Sequence, residues 1–414
     1  MVKLITCFLF LLNINSIQCF LFLNGIKREF FKDIKLEKER KQQIERMEQL
    51  DREKNENIKY NLNWYVIEES KNIQKDKLNK ITLLNKNYVI WKDENNFYAL
   101  DDECSHRGAP LSNGYLKNNC AVCPYHAAEF NDHGILCKMP GQTSQINYSS
   151  SSFHQNSYPI VERNGWVYLN IINKKIIESS IKNDDMDLDN NSLNETMNET
   201  MNEKYFHIFQ EPEVINNTFS VIHLNSKIKA NNRLVSENLL DVMHIAYVHT
   251  FGNKENPLPI NEPMPFLLKD YPYHYKITYQ YKSGKKSAAK SIFKISDLII
   301  ENEFVLPHTV ISRVYFGTNV KTIVTFASPL NEKETRLFIK IHRNYWRSSE
   351  GHIFADIYNH LGDKAMIKVL KMTIDEDIQI LESIAPTYVD GKFNMKYDKF
   401  PYMYRKVYES LKKL

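Results

Sequence analysis

Cys104-Ser105-His106-Arg107-Gly108-Ala109-Pro110, followed after a short connection by Cys123-Pro124-Tyr125-His126, is the stretch on which the reading of this chain turns. Each half offers one thiolate and one imidazole. Two Cys on one iron and two His on the other make up the ligand set of a mixed-ligand [2Fe–2S] centre, and both donor types suit iron. A structural Cys2His2 zinc site is the competing reading. It more usually places both Cys in one knuckle and both His in the other. Here each knuckle is mixed, which favours Cys104, His106, Cys123 and His126 as ligands of an iron–sulfur cluster.

The surrounding composition is that of a globular chain. With 414 residues, 43% of them hydrophobic and 12% aromatic, it has the length for more than one domain and for a sizeable core. A net charge of +4 is mild for that length and points to no nucleic-acid partner. Six cysteines do not make a disulfide framework, because Cys7 and Cys19 lie in an apolar leader and Cys104 and Cys123 in the cluster loops. Cys120 and Cys123 form a Cys-x-x-Cys, but with Cys123 committed to the cluster Cys120 reads as an ordinary thiol.

Upstream, residues 1–23 have Lys3 followed by an apolar run from Leu4 to Leu12 of signal-peptide length. Asn13, Asn15 and Gln18 weaken a membrane span but leave a signal anchor open. Residues 24–61 are dense in alternating charge at helical spacing and lack Pro. The expectation is entry to the secretory pathway, with onward targeting to a secondary plastid as a further hypothesis, and membrane association if the leader is uncleaved. From Leu62 to Asn173, short β-branched and aromatic runs such as Tyr88-Val89-Ile90-Trp91 alternate with polar turns. This pattern predicts a small all-β domain carrying the two cluster loops. Residues 174–204, with Asp184-Asp185-Met186-Asp187 and a repeated Asn-Glu-Thr-Met, read as a disordered insertion. Asn194 and Asn198 there stand in glycosylation sequons.

Residues 205–414 predict a second, mixed α+β domain, with strand-like runs at 273–279 and 322–326 between helix-like stretches near 236–249 and 363–385. Its chemistry-bearing segment is Asn238-Leu239-Leu240-Asp241-Val242-Met243-His244-Ile245-Ala246-Tyr247-Val248-His249. Asp241 and His244, three apart, are expected to share a helix face. His249, five beyond His244, falls off that face, so the helix is expected to end or distort before it. Two His and one carboxylate bind non-haem Fe(II) with open positions left over. A third ligand is then needed, and Asp377 is the choice, with Asp375 the runner-up.

These motifs together resemble the Rieske non-haem iron oxygenases over roughly 62–385. The nearest subgroup is that of the pheophorbide a and chlorophyllide a oxygenases. The resemblance implies an all-β Rieske domain followed by a helix-grip-like mononuclear-iron domain. It implies a [2Fe–2S] cluster on Cys104, His106, Cys123 and His126, and Fe(II) on His244, His249 and Asp377. Asp241 would bridge a cluster His to an iron His between neighbouring subunits of a homotrimer. A separate ferredoxin or reductase would supply electrons for the use of O2 on a hydrophobic small molecule, which is hydroxylated, desaturated or ring-opened. The absence of a Gly-x-Gly-x-x-Gly fingerprint agrees with a separate reductase. A non-catalytic redox or assembly component of a plastid envelope complex is the alternative. Two departures stand out. The family's usual His-Gly-Trp is here His126-Ala127-Ala128, and no cysteine follows His249.

Overall fold

The computed structural model describes residues 62–141, 150–177, 208–215, 219–268, 271, 273–347 and 355–411. The apolar leader, the charged segment and residues 178–204 of the expected insertion, with both sequons, lie outside the described residues, whereas residues 174–177, expected to be disordered, are helical, with Ile177 buried.

The N-terminal part is all-β. Its strands are β1 (Trp64–Glu69), β2 (Asn79–Leu83), β3 (Lys86–Lys92), β4 (Phe97–Asp101), β5 (Tyr115–Lys117), β6 (Cys120–Val122), β7 (Glu129–Phe130), β8 (Leu136–Lys138), β9 (Ile160–Arg163) and β10 (Trp166–Asn170). They form three antiparallel sheets, ordered β1-β10-β9, β2-β3-β4 and β5-β6-β7-β8. Strand β3 shows why an unbroken apolar run makes a strand here. Side chains alternate across a strand, so Tyr88 and Ile90 enter one core with Tyr65, Leu83 and Val167. Val89 and Trp91 enter a second core with Leu100 and Phe130, and that core also holds Cys104 and Cys123. The two candidate cluster thiols are thus set into the floor of a hydrophobic core.

The C-terminal part contains β11 (Ser220–Ile228), α1 (Asn232–Leu240), α2 (His244–Val248), β12 (Phe266–Leu267), β13 (His274–Lys282), α3 (Ala288–Ser291), β14 (Asp297–Val305), β15 (Thr309–Phe316), β16 (Asn319–Asn331), β17 (Glu334–Arg343), α4 (Ala355–Ser383) and α5 (Lys399–Leu411). The strands make one antiparallel sheet, β11-β17-β16-β15-β14-β13-β12. Helix α1 starts earlier than the sequence suggested, because Asn231 caps it, its side chain accepting from Arg233 N–H at 2.9 Å.

Both faces of this sheet are covered. Ile311, Val324, Phe326 and Phe338 project from one face and pack against Trp64, Val66, Trp166 and Tyr168 of β1 and β10. The neighbouring positions, Ser312, Ile323, Thr325 and Ile339, project from the opposite face into a cavity beneath α4. Polar contacts fix the first interface. Val66 N–H donates to His308 Nε2 at 3.1 Å, and Ser328 Oγ donates to Val66 O at 2.6 Å. Burial pushes His308 down to about 3, so its ring stays a neutral acceptor. The β2–β3 turn residues Leu84 and Asn85 both take left-handed φ, as a two-residue hairpin requires. Their N–H groups donate to the carbonyls of Pro329 and Leu330 on β16.

The segment that enters this part after the insertion is pinned to the same face. Glu211 accepts from Lys340 Nζ and His342 Nε2, both at 2.8 Å, with all three side chains buried. Burial acts to raise the Glu211 carboxyl, but the His342 hydrogen bond and the Lys340 charge outweigh it and hold it at about 2, below the ordinary 4.5. A carboxyl depressed in the folded state stabilises fully above its unfolded pKa and loses that contribution as the pH falls toward the folded one. Urea titrations should therefore show stability falling between pH 4.5 and 2. Glu211→Gln should be less stable at neutral pH and show a flatter acid dependence.

Candidate metal centres

The two cluster loops share one backbone plan. In the first, Cys104 N–H donates to Ala109 O at 2.9 Å and Gly108 N–H to Cys104 O at 2.7 Å. In the second, Cys123 N–H donates to Ala128 O at 2.9 Å and Ala127 N–H to Cys123 O at 3.1 Å. In each, the residue four after the cysteine takes a left-handed conformation, with φ +71° at Gly108 and +57° at Ala127. Asp102, which the motif reading passed over, anchors the first loop. It is buried and accepts from Ser112 N–H at 2.6 Å and Ser112 Oγ at 2.7 Å.

This plan brings the four candidate ligands together in two layers. Cys104 and Cys123 are buried, whereas His106 and His126 are exposed at the loop tips with ring centroids 4.7 Å apart. Burial pushes the Cys104 thiol up to about 11, and the Cys123 thiol beside it adds to the rise. Two neighbouring buried thiols favour deprotonation only with a cation between them, so the donor set fits an iron–sulfur cluster. Cys120 has Cys137, not Cys123, as its thiol neighbour.

The second centre lies between the sheet and α4. Helix α1 ends at Leu240, and Asp241 is its C-cap with extended φ −69° and ψ 124°. A new short helix, α2, starts at His244, and His249 follows it, again extended, at φ −83° and ψ 137°. Asp241 and His244 therefore do not share one continuous helix. The break turns both His244 and His249 towards α4. On that helix Met366, Leu370, Ile374, Asp377 and Leu381 line the cavity at helical spacing. Asp377 thus occupies an apolar-stripe position, while Asp375 is exposed.

His244, His249 and Asp377 each offer one ligand atom, all within 4.8 Å of one another. Asp377 Oδ1 lies 3.6 Å from His244 Nε2 and 3.8 Å from His249 Nε2. It is buried and has no hydrogen-bond partner. The other ring nitrogens explain the orientation. His244 Nδ1 donates to the Asp241 carbonyl at 2.8 Å, and His249 Nδ1 donates to Glu376 Oε2 at 3.0 Å. A carbonyl can only accept, so the His244 proton sits on Nδ1 and Nε2 keeps its lone pair for a metal. Glu376, given no role by sequence reasoning, also accepts from Thr250 N–H at 3.1 Å and from its hydroxyl. Burial acts to raise Glu376, but these bonds outweigh it and hold it below the usual range. Burial also lowers His249, favouring the neutral, ligating ring.

The Asp241 carboxylate has a smaller part within the chain. Its Oδ1 accepts from Met243 N–H at 2.7 Å, and its Oδ2 stands 4.0 Å from His244 Nδ1. Burial raises this carboxyl. The contact that orients His244 is the backbone carbonyl, which no side-chain motif discloses.

A cluster site on an all-β domain, joined to a two-His, one-carboxylate site under a seven-stranded sheet, defines a two-centre iron redox protein. The chain belongs to the Rieske non-haem iron oxygenase family: residues 63–159 match the Rieske [2Fe-2S] domain and residues 228–414 the vanillate O-demethylase oxygenase C-terminal domain. Its cofactors are a [2Fe–2S] cluster and a mononuclear iron, and both donor sets fit them. Among its relatives, the toluene-4-sulfonate monooxygenase system iron-sulfur subunit of Comamonas testosteroni is 31% identical over 45% of each chain. Chlorophyllide a oxygenase of Chlamydomonas reinhardtii is 34% identical over 26% of this chain and 16% of its own length. The chain thus matches less than half the length of these relatives. The fold is that of dicamba monooxygenase bound to dicamba, at TM-score 0.63 and 19% identity, covering 86% of this chain and 98% of that one.

Ala127 pays a conformational cost that its counterpart Gly108 does not. A left-handed L-residue is disfavoured by roughly 1–2 kcal/mol, partly offset by the lower entropy of alanine in the unfolded chain. Ala127→Gly should therefore raise stability by about 1 kcal/mol in denaturant titrations, with the cluster spectrum unchanged.

Proposed function

We propose that this chain is the oxygenase component of a Rieske oxygenase system. In this reading Cys104, Cys123, His106 and His126 hold the [2Fe–2S] cluster, and His244, His249 and Asp377 hold Fe(II). The observation that carries it is the unpartnered, buried Asp377 Oδ1, set opposite two imidazole nitrogens whose lone pairs are free. An uncompensated carboxylate in such a place is costly, and a cation removes the cost.

When bound, the two centres supply one-electron transfer and the activation of O2. The chain's own residues set the conditions. The exposed His106 and His126 form the edge through which electrons from a separate ferredoxin or reductase enter. Asp241 and Glu376 hold the ligating rings in the tautomer that leaves Nε2 available. The apolar walls of the cavity, among them Ile300, Ile323, Ile339 and Leu370, exclude water and hold a hydrophobic small molecule beside the triad. The Asp241 carboxylate, partly exposed, is offered to a cluster histidine of a neighbouring copy in a homotrimer. The redox or assembly alternative is less well supported, since an electron carrier has no use for an open metal site fronting a cavity of about 430 Å3.

Iron analysis tests the assignment. Wild-type protein should hold about three irons per chain, and His244→Ala or His249→Ala about two, with the Rieske spectrum intact. Equal iron in all three would remove the oxygenase reading. Residues 1–61 are proposed to direct the chain into the secretory pathway and onward to a plastid. Fused to a fluorescent protein, they should carry it there, and a cytosolic signal would refute this.

A further inference from the structure

The cavity behind the triad has a volume of about 430 Å3, and its lining is mostly carbon. Asp377 is the one carboxylate among the described residues that line it, and it faces the two imidazoles. On the sheet floor stands Lys321. It lies two residues before Ile323 and four before Thr325 on β16, so its side chain shares their inward face. Its partners across the strands are Val314 and Arg343. Arg343 is engaged at that end through both terminal nitrogens, Nη1 donating to the Tyr345 and Trp346 carbonyls and Nη2 to Asp363, while its Nε has no partner.

Lys321 makes no hydrogen bond or ion pair with any described residue. That sets it apart from the buried cations of this sheet, although Lys321 itself is half-buried at the cavity lining. Lys340 is paired with Glu211 at 2.8 Å, and Arg313 with Glu213 and Glu303. A charge taken out of water is retained only when something compensates it. The apolar surroundings lower the Lys321 ammonium from its ordinary value, the expected sign for a partly desolvated cation. Lys286, exposed, adds a second cation to the lining.

The position of this charge along the cavity is also informative. Asp363, held by Arg343 next to Lys321, and Asp377 of the triad are separated by roughly 20 Å along α4 at a helical rise of about 1.5 Å per residue. The cation and the metal site therefore mark opposite ends of the space.

We infer that Lys321 anchors an anionic group of the substrate, so that the substrate is an amphipathic acid. Its carboxylate or other oxyanion sits on the Lys321 ammonium, its apolar body fills the cavity, and its end remote from the acid is presented to the triad. This rests on the oxygenase reading and specifies its substrate class and the end of the molecule that reacts.

Holoprotein titrated calorimetrically with a series of medium-chain fatty acids and 4-alkylbenzoates, each against its own primary amide, tests the inference. At least one acid should bind about tenfold tighter than its amide, as a charge-assisted hydrogen bond provides. Lys321→Met should abolish that preference and leave amide binding unchanged, and Lys321→Arg should keep it. If no acid outbinds its amide in the wild type, or if Lys321→Met retains the preference, the inference is overturned. The wild-type comparison stands even if a variant fails to fold. Iron content of the same samples separates the two readings. Acid preference in protein lacking the mononuclear iron would leave the Lys321 anchor standing and remove the oxygenase assignment.

Discussion

Burial of the seven-stranded sheet on both faces is the constraint from which the rest of the molecule follows. Side chains alternate along β15, β16 and β17, so one register commits each residue either to the Rieske side or to the cavity side. Phe326 and Phe338 meet Trp166, while Thr325 and Ile339 line the cavity. A one-residue slip would place cavity residues under the Rieske domain and core aromatics in the cavity. The buried pairs on the Rieske side, Glu211 with Lys340 and Glu213 with Arg313, fix that register at polar positions, because an unpaired partner would be a stranded charge.

Within that frame both candidate centres obey one rule: the donors are held by backbone and neighbouring groups before any metal arrives. In the cluster loops the cysteine N–H and C=O are each tied to the far side of the loop, at Ala109 and Gly108 or at Ala128 and Ala127. The histidine can therefore fall two residues after the cysteine in one loop and three in the other without changing the loop. At the second centre, the Asp241 carbonyl and the Glu376 carboxylate accept hydrogen bonds from the Nδ1–H groups and leave both Nε2 atoms facing Asp377. Preorganisation of this kind lowers the ordering cost of binding the metal.

The cavity joins these observations. Its walls are the inward faces of the sheet and the apolar stripe of α4, and that stripe is interrupted once by a carboxylate, at Asp377. The floor is interrupted once by a cation, at Lys321. Each interruption breaks local hydrophobic patterning, and such breaks are where function is most often found.

The sequence by itself offered the candidate donors. Cys104, His106, Cys123 and His126, and the pair His244 and His249, stand out as candidates because metal chemistry restricts ligands to few residue types at tight local spacing, whereas Asp377 lies far from its partners along the chain. The two-part architecture was legible too, from the change between short β runs and mixed periodicity. The sequence left Asp375 as the runner-up to Asp377; it is the structure that puts Asp377 on the cavity side of α4 beside the two imidazoles and leaves Asp375 exposed. Only the tertiary structure decided the rest. The break at Asp241, the roles of that residue's carbonyl and of Glu376, and the pairing of Glu211 with Lys340 join groups on different elements or depend on backbone atoms. The Lys321 position acquires meaning only from what the opposite wall lacks. A sequence records which side chains are present, but whether a charge is compensated depends on which other groups the fold brings within a few ångströms of it.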